Sequence, residues 1–107
     1  MAEILVEVQG MGAIEATQEL LAIPGVTGTW ETEPEAEREG TLAVIATIVG
    51  IVGGTLAIAE QIRKWYQEYR QRQAGKKIEK VLIVSRNGRR LLLENATIEQ
   101  IQKILEE

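Results

Sequence analysis

Cysteine, histidine and aspartate are all missing from this 107-residue chain, and Ser85 is its only serine. Without cysteine there are no disulfides, thiolate zinc sites or cysteine nucleophiles. Without histidine or aspartate, a histidine-based triad, an EF-hand and the usual metal-ligand clusters are excluded too, since every acidic side chain is a glutamate. A glutamate pair is the remaining route to general acid–base chemistry, but Glu31, Glu33, Glu35, Glu37 and Glu39 read as a solvated acidic linker. The expectation is a protein that is not an enzyme, with no catalytic residue, no cofactor and no metal. No secretory signal is visible, because Met1 to Gly10 is acidic and the long apolar run begins too late. A cytoplasmic sheet domain is the default.

What is present is dominated by one stretch. Gly40 to Ala59 runs for twenty residues without a charge, and as a helix it would span roughly 30 Å, the thickness of a bilayer's hydrocarbon core. The run therefore reads as a long apolar central helix, or as a helical hairpin turning at Gly53-Gly54. Ala46, Gly50 and Gly54 recur at every fourth position, and together with Gly53 they suggest close helix packing and oligomerisation. Leu42, Ile45, Ile48, Val49, Ile51 and Val52 would face lipid or a partner helix. Ile58, Ile62, Trp65, Tyr66 and Tyr69 continue an apolar face into the charged region beyond.

Charge is distributed unevenly about this segment. Residues 1 to 40 carry nine glutamates against Arg38 alone, whereas residues 60 to 107 carry eleven lysines and arginines against seven glutamates. Arg63, Lys64, Arg70 and Arg72 form a basic flank interleaved with the aromatic residues, as where a helix leaves a membrane towards the cytoplasm. In that version the sheet domain is cytoplasmic and associated with the inner membrane.

The flanks carry strand signals. Glu3 to Gln9 sets Ile4, Val6 and Val8 against Glu3, Leu5 and Glu7 with period two. Gly10-Met11-Gly12 turns into a helix whose apolar face is Ile14, Leu20 and Leu21; the Gly-x-Gly lacks the third glycine of a dinucleotide site and reads as a structural turn. Pro24-Gly25 ends that helix, and Val26 to Thr32 is a second strand. A long helix would begin near Pro34 and break at Gly75. Ile78 to Ser85 and Arg89 to Glu94 form a hairpin about Asn87-Gly88, which suits a type I′ turn. Thr97 and Gln100 have capping-box spacing ahead of a helix with Ile98, Ile101, Ile104 and Leu105 along one stripe.

The expected fold is α+β. Ferredoxin-like β-α-β and β-β-α halves, residues 1–33 and 75–107, build a four-stranded sheet and are separated by the helical segment 34–74. If the halves join within one protomer, a single membrane crossing between them is impossible. Three arrangements are open: the segment turns back on itself as a helical hairpin, crosses once with the halves stabilised separately, or bundles with other copies in a soluble oligomer, with the flanks exchanged between neighbours in one variant.

The order of these elements resembles the effector-associated constant component family, small proteins linked with prokaryotic conflict or defence systems. The residues carrying the resemblance are LAVIATIVGIVGGTLAIA at 42–59, IRKWYQEYRQR at 62–72 and KVLIVSRNGRRLLLENAT at 80–97. The resemblance implies a non-enzymatic adaptor or signal-transmitting component working beside a separate effector protein. Self-association, with or without membrane lipid, is the accompanying expectation. A soluble homo-oligomeric interaction module is the alternative. A nucleic-acid-binding module would use Arg63 to Lys80 with the aromatic residues as stacking surfaces, but the acidic first half of the chain disfavours it.

Overall fold

The computed structural model describes residues 3–32, 42–73 and 76–107. Pro34, Gly75 and the acidic run from Glu33 to Glu39 lie outside them. Within the described residues the chain forms β1 (Ile4–Gln9), α1 (Ala13–Leu21), β2 (Val26–Thr32), β3 (Ala43–Ile51), α2 (Thr55–Arg70), β4 (Lys80–Val84), β5 (Arg90–Leu92) and α3 (Ile98–Glu106). The strands make one antiparallel sheet in the order β2-β3-β1-β4-β5. The first four strands and two helices are thus two interlocked split β-α-β units, the ferredoxin-like order, with a hairpin strand and a third helix added.

The long apolar central helix does not exist. Nine residues of the charge-free run form β3, which lies inside the sheet and hydrogen-bonds to β2 on one side and β1 on the other. Six of its nine residues, AVIATIVGI, are β-branched, which disfavours helix and suits a pleated, packed surface. An interior strand packed on one face and half-covered on the other carries few charges, so its apolar run has no helical period. The twenty-residue count joined this strand to a tight connection and to the first turn of α2. The four-stranded sheet is correspondingly replaced by five strands, and strands from all three expected segments share it. No helix among the described residues is long and apolar enough to cross a membrane, which overturns the transmembrane and membrane-associated readings.

The glycines have uses other than helix packing. Ala46 and Gly50 lie in β3, with Ala46 buried between Val6 and Trp30 in the register and Gly50 opposite Thr27. Gly53 and Gly54 have φ of 97° and 100°, so they provide the left-handed backbone that reverses the chain into α2. Gly12 has a different role: a Cβ there would clash with the Lys76 carbonyl oxygen, and its own N–H donates to the Lys77 carbonyl at 3.0 Å. The Gly-x-Gly turn therefore marks where the segment leading into β4 crosses against the start of α1.

All three helices serve one layer of core. Ile4, Val6 and Val8 of β1, Val44, Ala46 and Ile48 of β3, and Val81 and Ile83 of β4 share the covered face of the sheet. α1 meets it with Ala13, Ala16, Thr17 and Leu20 rather than with Ile14, which is exposed; small residues let the helix sit close. α2 contributes Ile58, Ala59, Ile62, Trp65, Tyr66 and Tyr69, spaced so that one stripe faces inward. The Trp65 indole Nε1–H donates to the Ala16 carbonyl at 2.8 Å, tying α2 to α1. α3 begins in a closed capping box, with Gln100 N–H to Thr97 Oγ1 at 3.1 Å and Thr97 N–H to Gln100 Oε1 at 2.9 Å. The hairpin before it is not a type I′ turn. Of its central residues only Gly88 has positive φ, 87°, and the Arg89 carbonyl accepts from Ser85 N–H at 2.8 Å, as in a type I turn followed by a glycine bulge.

Two alanine substitutions separate the strand placement from the helix it replaces. Gly50→Ala adds a Cβ that meets nothing within 4 Å, so denaturant unfolding should show unchanged stability or a gain of up to about 1 kcal/mol. Gly12→Ala should cost about 1–3 kcal/mol through its clash with the Lys76 backbone. Equal losses in the two variants would contradict the placement of Gly50 in β3.

Candidate interaction surface

Because strand side chains alternate, the residues between the core positions point to the other face of the sheet. In register, one row across that face reads Glu31, Ile45, Glu7, Leu82, Leu92, and the next reads Thr29, Thr47, Leu5, Val84, Arg90. Lys80 lies beyond the first row, opposite Gln9. Among the described residues, no helix or further strand packs on this side.

Its composition is mixed in an ordered way. Leu5, Val49 and Leu92 are exposed by 38%, 55% and 47%, and Ile45, Leu82 and Val84 are half-buried between them. Negative charge lies towards β2 and β1, at Glu31 and Glu7, whereas positive charge lies towards β4 and β5, at Lys80 and Arg90. An apolar strip on a rigid sheet, bordered by opposite charges, is a surface suited to contact with protein. The elements also fix its geometry, since β1 is held by ladders on both edges.

The residues expected at a membrane or partner interface are mostly elsewhere. Ile48, Ile58, Ile62, Trp65, Tyr66 and Tyr69 are core residues, and Leu42 and Ile51 pack against that core. Of this set, Val49 and Val52 are exposed and Ile45 is half-buried on the open face, with Val52 in the connection after β3. The sequence reading missed Leu5, Leu82, Val84 and Leu92. Leu5 carried the available signal, as a leucine on the polar side of an otherwise clean alternation with Glu3 and Glu7.

The basic flank is likewise divided. Arg72 lies 4.0 Å over the Tyr69 ring and 3.4 Å from Glu15, joining the end of α2 to α1. Lys64 borders a shallow depression with Glu19 and Glu68, while Arg63 and Arg70 line a different cleft beside the loop that follows β5. Trp65, Tyr66 and Tyr69 face inward, and so do not present the stacking surfaces of a single-strand-binding groove. No group of three or more acidic side chains able to hold a metal occurs among the described residues.

In comparisons with known proteins, no family model, curated protein or solved structure matches the chain.

Tyr69 is fully buried and its hydroxyl has no hydrogen-bond partner among the described residues. Burial pushes its phenol well above the ordinary value of 10.0, and Glu19 adds to the shift, its carboxylate near enough to attract the hydroxyl proton though outside hydrogen-bond geometry. An unfolded chain releases this proton near pH 10 while the folded one retains it, so stability falls as pH rises above about 10. Tyr69→Phe should make that alkaline decline less steep in pH-dependent unfolding. It should also raise stability at neutral pH by up to about 1 kcal/mol, since an unpartnered polar group leaves the core. A lowered neutral stability with an unchanged alkaline slope would show that the hydroxyl is bonded in solution.

Proposed function

We propose that the protein is a non-enzymatic interaction module that pairs with a second copy of itself through the open face of its sheet. The observation carrying this reading is the arrangement of that face: an apolar strip between an acidic β2–β1 side and a basic β4–β5 side. A surface of this kind is self-complementary under a two-fold rotation.

A two-fold axis running along the strands between β1 and β4 gives a concrete pairing. It sets β1 over β4 of the second copy and β3 over β5, with sheets about 10 Å apart. Leu5 then meets Val84 of the second copy, Ile45 meets Leu92, and Glu7 comes beside Lys80. Each contact occurs twice. The complementary charges fix the direction of stacking, because turning the axis across the strands would place the acidic β2 sides together.

The resemblance to the effector-associated constant component family extends this reading to an adaptor beside a separate effector in a prokaryotic conflict system. In that role a symmetric pair would present two copies of the helical layer outward, leaving each available to the effector.

Light scattering after size exclusion should give about twice the 11.9 kDa chain mass, falling towards one chain on dilution. Leu5→Glu should weaken the pair at least about tenfold, or ~1.4 kcal/mol, with the unfolding midpoint of the isolated chain nearly unchanged. Glu7→Lys and Lys80→Glu should each weaken it, and the double exchange should restore it. A wild-type chain that stays monomeric across the concentration range sinks the proposal.

A further inference from the structure

We infer that the cleft between α2 and the loop following β5 is a binding site for a phosphorylated small molecule. The cleft has a volume of about 570 Å³ and is lined by Arg63, Tyr66, Gln67 and Arg70 of α2, by Gln71 just past its end, and by Leu93, Asn95 and Ala96 of the loop. That volume falls within the range of small-molecule sites.

The chemistry of the walls selects the ligand. No glutamate among the described residues lines this cleft. Arg63 and Arg70 have no carboxylate within 4 Å among the described residues, in contrast to Arg72 and Arg89, which are paired with Glu15 and Glu107. Two guanidinium groups without a carboxylate partner among the described residues are thus collected where three side-chain amides add further donors. Gln67, Gln71 and Asn95 make no side-chain hydrogen bond to another described residue.

Arg70 is held in place before any ligand arrives. Its Nη1 donates to the Tyr66 hydroxyl at 3.1 Å and its guanidinium lies 5.6 Å from the Tyr66 ring centre, while Tyr66 itself is buried in the core. The opposite wall is equally fixed. Leu93 and Ala96 are buried, their N–H groups are bonded to the Val81 and Leu93 carbonyls, and Asn95 adopts a left-handed φ of 62° that turns the loop towards α3. Arginine's planar fork matches phosphate oxygens two at a time, and an acceptor-only anion satisfies both guanidinium and amide donors. The apolar floor of Leu93 and Ala96 receives the uncharged part of the molecule.

This site lies in the helical layer, outside the rows of the open sheet face, so its occupancy is independent of pairing between copies. The test uses the full chain with inorganic pyrophosphate and adenosine monophosphate as probes and citrate as a carboxylate control, followed by amide chemical shifts and calorimetry. The expected result is saturable binding of the phosphate probes, with shifts centred on residues 63, 67, 70, 71 and 93–96, and weakening as salt rises. Arg63→Gln and Arg70→Gln should each reduce affinity at least fivefold while leaving the circular dichroism unchanged. Lys103→Gln, on α3 and outside this cleft, should leave it intact. Absence of binding, shifts spread over every basic residue, or citrate binding as tightly as pyrophosphate would overturn the assignment. So would wild-type affinity in both arginine variants.

Discussion

The fold depends on the placement of β3. Among the described residues this strand is the sole hydrogen-bonding neighbour of β2, and it supplies one of the two ladders that hold β1. Without it the N-terminal β-α-β segment would have two strands that do not touch, and α1 would have no continuous surface to cover. Its β-branched side chains serve both sides at once: Val44 and Ile48 lie in the core, while Ile45 and Val49 contribute to the open face. The same absence of charge that makes the strand packable makes it look like a membrane helix.

The flanks of the chain were legible because their local signals agree with their surroundings. The alternation in β1, the Pro-Gly exit from α1 and the Thr97–Gln100 capping box each depend on a few neighbouring residues. The central run was illegible for a corresponding reason. Twenty uncharged residues have no internal marker of where a strand stops, and Gly53-Gly54 serves equally as a small pair on a helix and as a reversal with positive φ. The stripe Ile58, Ile62, Trp65, Tyr66 and Tyr69 was visible as one helical face, but sequence does not say whether such a face meets lipid or a sheet. Of the candidate surface, Ile45 and Val49 were named, though as positions on a helix; Leu5 broke its alternation without being singled out, and Leu82, Val84 and Leu92 belong to apolar runs whose two faces become distinguishable only once the register is known.

Two surfaces with different chemistry result from this layering. The sheet offers a broad face with apolar centre and charged borders, whereas the helical side collects arginine and amide donors in a concave space. Tyr66 separates them: its ring belongs to the core beneath α2, and its hydroxyl orients Arg70. Burial of the aromatic residues thus removes them from direct recognition while giving them control over a cation that remains accessible.

The strand order also constrains how the chain can be made. Leu5 pairs with Thr47 on one side and Val84 on the other, so the central strand of the sheet is the first to be synthesised and among the last to be completed. Until residues 43–51 emerge from a ribosome, β1 and β2 have no common partner, and β1 keeps one bare edge until residues 80–84 follow. Loop closure over such separations makes folding slow relative to a helical bundle of this size. During that interval the nascent chain carries an unpaired apolar strand, a period in which a chaperone or a second nascent copy can reach β1 before its own C-terminal half does.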